Sequence, residues 1–161
     1  MTVAGVNASE ILTHLRTRLA GVEGVAFVGR GTPTTEDQIG ALPSVFVRYA
    51  GSQWDSTATR HYRRIGSYQI VLFTGGREIE EAEDSMFLLT DRIKAFIREN
   101  EDMAPAPGRS YAYRALVQRD GPVEPVNSEE GSILRTVLQL EIHWLERFTS
   151  EVGSDSLGVI G

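Results

Sequence analysis

The side chains with the widest chemical reach in this chain are three histidines, a run of carboxylates and a cluster of arginines. His14, His61 and His143 lie far apart in the sequence, and none stands at a metal-ligand spacing from another His, Asp or Glu. No Gly-x-Ser-x-Gly elbow and no His-Glu-x-x-His helix accompanies them, so neither a serine nucleophile nor a zinc-bound water is written into the pattern. The chain has no cysteine, which excludes disulfides, thiolate chemistry and cysteine-ligated zinc. Gly29-Arg30-Gly31 begins like a dinucleotide loop, but Pro33 follows and the third glycine is missing. Gly75-Gly76 joins a strand to a helix without the Gly-Lys-Ser/Thr of a phosphate loop. Tight turns are the simpler explanation for both.

Two charged sets remain. Glu78, Glu80, Glu81, Glu83 and Asp84 fall where a helix should begin, and carboxylates there interact favourably with the positive end of the helix dipole. Arg60, Arg63 and Arg64, with His61 and Tyr62 between them, form a basic-aromatic stretch. A formal net charge of −6 argues against a general polyanion-binding surface, because phosphate neutralisation by Lys and Arg dominates nucleic-acid affinity. Arginine is enriched at protein interfaces and engages carboxylates bidentately, which favours contact between subunits. We therefore expect Arg60, Arg63 and Arg64 to pair subunits, with Glu80, Glu81 and Asp84 of a second copy as counter-charges. No catalytic residue, cofactor or metal is expected.

The elements that position these groups can be read from periodicity. Asn7 with Glu10 forms a capping-box-like pair ahead of Ile11, Leu12, Leu15 and Leu19, one apolar stripe at helical spacing that Gly21 ends. Residues 25–28 suggest a first strand. Residues 29–43 suggest a long punctuated loop, of a length that usually binds something or moves. A second strand is expected over 44–49, a connection over 51–56 and a third strand over about 59–74. The clearest helix covers 78–98, where Ile79, Ala82, Met86, Leu89, Ile93 and Phe96 advance by three or four. A breaker-rich linker over 101–110, a fourth strand over 111–118 and a polar loop over 119–131 follow. From Leu134 to Trp144 the even positions are apolar apart from Thr136, while Arg135, Gln139, Glu141 and His143 alternate with them. That predicts an antiparallel sheet with one buried and one largely wet face. The expected class is α+β, an antiparallel or mixed sheet with helices on one face, in the order α-β-β-β-α-β-β. The third and last strands are long enough that they must bend or overhang the body, and an overhanging hairpin is a natural contact arm.

A chain of 161 residues with 41% hydrophobic and 24% charged residues is the size and composition of one ordinary globular domain. We expect it to occupy 1–148, with an aperiodic, flexible tail over 149–161. Uninterrupted apolar runs such as Ile70-Val71-Leu72-Phe73 are only four residues long, far short of a membrane span. The first residues lack the basic start and apolar stretch of a secretory signal, so a cytosolic protein without a membrane partner is expected.

With these elements placed, the chain resembles the tail terminator, or tail completion, proteins of long-tailed bacteriophages from about residue 8 to 148. The likeness is carried by the opening helix from Ser9 to Ala20, the Gly-rich strand start and Ala41-Leu42-Pro43-Ser44-Val45-Phe46-Val47. It continues through Tyr68-Gln69-Ile70-Val71-Leu72-Phe73, the helix 78–98 and the alternating strand from Leu134 to Leu145. The resemblance implies a homohexameric ring that docks on the last ring of the tail tube, stops its polymerisation and presents a surface to neck or head-completion proteins. The tube, neck and sheath proteins would be its partners, and DNA would pass through the lumen without specific binding. Such a protein assembles in the host cytoplasm and ends in the virion tail or neck. Three other readings compete: a neck stopper or head-tail adaptor, a small α+β ligand-binding or enzymatic domain using His61 or His143, and a nucleic-acid-binding domain using the arginine strand.

Overall fold

In the computed structural model, which describes residues 2–3, 6–55, 63–104, 109–126 and 132–146, Asn7 starts the first helix as its spacing to Glu10 predicts. Its Oδ1 accepts from the Glu10 amide at 3.0 Å, and the Glu10 carboxylate accepts from the Asn7 amide at 3.2 Å. This reciprocal cap opens α1 (Ala8–Leu19), which buries Ile11, Leu15 and Leu19. The second helix, α2 (Ile79–Glu99), buries Ala82, Met86, Leu89, Ile93 and Ile97.

The strands in chain order are β1 (Thr2–Val3), β2 (Phe27–Arg30), β3 (Ser44–Trp54), β4 (Arg63–Gly76), β5 (Arg109–Ser110), β6 (Ala112–Asp120), β7 (Glu124–Val126) and β8 (Ser132–Leu145). Six of them form a mixed sheet ordered β2-β3-β4-β8-β6, with β7 also on β8, and both helices lie on one face of it. The β2–β3 pair is parallel and the remaining pairs of this sheet are antiparallel. β1 and β5 make a separate two-stranded pair. The α+β class and the one-sided helix layer agree with the sequence; two-residue strands such as β1 and β5 are too short to show a period.

The main core lies between helices and sheet. Val45, Val47, Tyr68, Ile70, Leu72, Leu138, Leu140, Ile142 and Trp144 meet the buried stripes of α1 and α2. The alternation along β8 is as predicted, with every even residue from Leu134 to Trp144 buried. The opposite face is not wet throughout. Phe46, Val71, Phe73 and Ile133 form a second core there, closed by Ile39 and flanked by Leu42 and Val126. The segment 29–43, expected as an open loop, therefore covers part of the sheet. It contains the end of β2 and a short 3-10 turn (Glu36–Gln38), and the Thr34 amide donates to the Gln38 side chain at 2.7 Å. The unbroken apolar runs 45–47 and 70–73 carry the signal for this second core, since a strand buried on both faces loses its alternation.

Two further boundaries differ from expectation. The stretch 51–54 is strand, because Gly51, at φ +107, absorbs a bulge between Tyr49 and Ser52 after which β3 pairs with β4 again through Trp54. Within the loop expected at 119–131, β7 pairs with Ile133, Leu134 and Arg135 of β8. β4 and β8 stay in continuous register over 14 residues, Arg63 opposite Leu145 to Gly76 opposite Ser132. The tail expected over 149–161 lies outside the described residues.

Candidate subunit interface

The far end of the β3–β4 hairpin gathers aromatic and charged side chains that the bulge at Gly51 brings to one place. On the helix side, the Arg64 guanidinium carbon sits 3.9 Å above the Trp54 ring, and Trp54 is 49% exposed. Arg64 Nε lies 3.8 Å from Glu146, whose Oε1 also accepts from Trp144 Nε1 at 2.9 Å. Trp144 is fully buried beside Tyr68, their ring centroids 6.2 Å apart, and Tyr68 in turn meets the exposed Tyr49 at 5.3 Å. Gly66 makes room for this stack: a Cβ there would lie 2.3 Å from the Trp144 ring. Tyr68 donates to the Ala8 carbonyl at 2.9 Å, and burial, then Tyr49 and Glu146, raises its phenol's pKa well beyond the ordinary range.

Arg63 points to the other face of the same strand, 3.7 Å from Asp55. Two of the three expected interface arginines are thus placed together on one strand end, each beside a carboxylate of its own chain. Arg60 and His61 lie outside the described residues. Both pairs are long, and the Arg63 and Arg64 side chains stay 33% and 26% exposed.

The expected counter-charges sit at the opposite end of β4. Glu80, Glu81 and Asp84 are exposed in the first two turns of α2, which begins three residues after Gly76. From Arg63 to Gly76 β4 runs roughly 43 Å at strand rise. The two sets therefore do not meet within one chain. On the outward stripe of α2, Phe87 and Leu88 are 60% and 51% exposed, between Asp84 and Asp91. The sequence expectation did not include this apolar pair, although two adjacent apolar residues cannot both face the core from one helix that already has a complete inward stripe.

The histidines do not converge. His14 lies on α1 with its ring edge-on to Tyr111 at 5.4 Å, and burial, reinforced by Arg18 and only partly offset by Asp102, lowers its pKa. His143 is on the far face of the sheet, 2.7 Å from Glu141, in a polar ladder where Gln118 donates to Glu141 at 2.8 Å and Arg48 donates to Gln69. Among the described residues no group of three His, Asp or Glu could hold a metal, and no helix is long and apolar enough to cross a membrane. One open groove of about 420 Å³ runs between α2 and β6, beside Lys94 and Arg98, and another of about 510 Å³ between α1 and α2, beside Arg18 and Arg92.

No family profile and no curated protein matches the chain. Among solved structures, it is similar to a chain from the virion of a native gene transfer agent particle, with 16% identity over 84% of this chain and 91% of that one, at a TM-score of 0.44. A second solved chain is 14% identical over 88% of this chain and 97% of that one, at a TM-score of 0.41.

Proposed function

We propose that this chain is a non-catalytic virion protein that caps the tail tube of a long-tailed bacteriophage as a homohexameric ring, halts tube growth and forms the joining surface to the neck. The sequence resemblance suggests the family. The observation that carries the self-assembly is the placement of complementary charges, Arg63 and Arg64 against Glu80, Glu81 and Asp84, at opposite ends of one long strand. Complementary patches on different surfaces of one chain give a head-to-tail contact, and a head-to-tail contact closes into a ring when its rotation allows. The edge strands β2 and β6 are poor alternatives, since β2 has only four residues and β6 carries two register breaks and exposed Arg114, Arg119 and Asp120. Negative net charge suits a lumen through which DNA slides. The partners are the tube protein at one end and a neck or head-completion protein at the other, with sheath protein where the tail has one.

Pull-down with purified tail tubes and, separately, with head connector rings tests this reading. Retention at tube ends is the expected result. Retention on connector rings alone would make the chain a neck adaptor or stopper instead.

A further inference from the structure

The charges account for orientation, but exposed ion pairs alone do not hold an interface together; its energy comes from a few desolvated aromatic and arginine anchors. We propose that the anchor is the Trp54–Arg64 stack of one copy seated on Phe87 and Leu88 of the next, with Asp84 and Asp91 flanking the arginine. This rests on the ring reading and names the partner surface within it. Phe87 and Leu88 are the most exposed large apolar side chains among the described residues, and Trp54 follows them. Phe87 and Leu88 sit between Asp84 and Asp91, and Trp54 carries the Arg64 guanidinium on its ring face, so the two patches match in apolarity and each brings a charge of opposite sign to the contact. Seating the stack on them would remove all three apolar side chains from water together and bring Arg64 within reach of two further carboxylates, the environment in which a cation over an indole gains most.

The absence of cysteine from the sequence makes the contact readable by disulfide trapping. Full-length Ser52→Cys protein, altered two residues before Trp54, is mixed with Asp84→Cys or Asp91→Cys protein and oxidised, alone at graded concentrations and on tail tubes. The expected result is a mixed disulfide between the two variants as the main product, lost when Phe87→Asp and Leu88→Asp are added to the α2 partner. Symmetric products, in which each variant cross-links only to its own kind, or no cross-link under any of these conditions, would overturn the proposal. Tubes that are capped without the mixed disulfide leave the terminator function standing and remove this interface. The mixed disulfide without capping does the reverse.

Discussion

A methyl group on Gly66 would fall inside the contact distance of the fully buried Trp144 ring, so at the scale of single residues Gly66→Ala is an overpacking change. It should cost about 1–3 kcal/mol in urea unfolding. His14 gives the fold a pH dependence whose sign follows from its lowered pKa. The unfolded chain takes up the proton first, near the ordinary imidazole value of about 6.5. The stability contributed by a neutral His14 is therefore complete above that pH and is lost as pH falls through it towards the lower folded value. Unfolding midpoints measured from pH 8 to pH 5 should fall less steeply in His14→Gln than in the parent chain.

At the scale of elements, legibility in the sequence depends on how many faces each element buries. α1, α2 and β8 each bury one stripe or one face, so their period survives in the sequence and their ends lie within a residue or two of those the periodicity predicts. The segment before β3 hides its packing for the opposite reason. Its few apolar residues, Ile39 and Leu42, have no period of their own, and their partners Phe46, Val71 and Phe73 lie in strands buried on both faces. Ile39→Ala should consequently behave as a core substitution and cost about 2–4 kcal/mol, where an open loop would lose almost nothing. Of the candidate interface, the charges are visible because runs of like sign stand out, whereas Trp54 becomes informative only once the Gly51 bulge has set it beside Arg64. Phe87→Asp with Leu88→Asp belongs to this scale too: on an exposed stripe it should leave the urea midpoint nearly unchanged while abolishing self-association in sedimentation.

At the scale of the whole molecule, β4 keeps the arginine end and the acidic start of α2 apart in one chain, and the proposed ring brings them together between copies. Electrostatic orientation across such a contact is screened by salt. Arg63→Glu with Arg64→Glu should therefore weaken assembly, and restoring the opposite signs with Glu80→Arg and Asp84→Arg in the same chain should recover it. Sedimentation at low and at high ionic strength checks this. Assembly that ignored both sets of reversals would remove the charges from the interface. Whether the chain ends a tail tube is decided by negative-stain imaging of tube protein polymerising with and without it. Six-fold rings should close one end of tubes whose length is arrested. Tubes that lengthen unchanged, with no ring at either end and none in the protein alone, would contradict it.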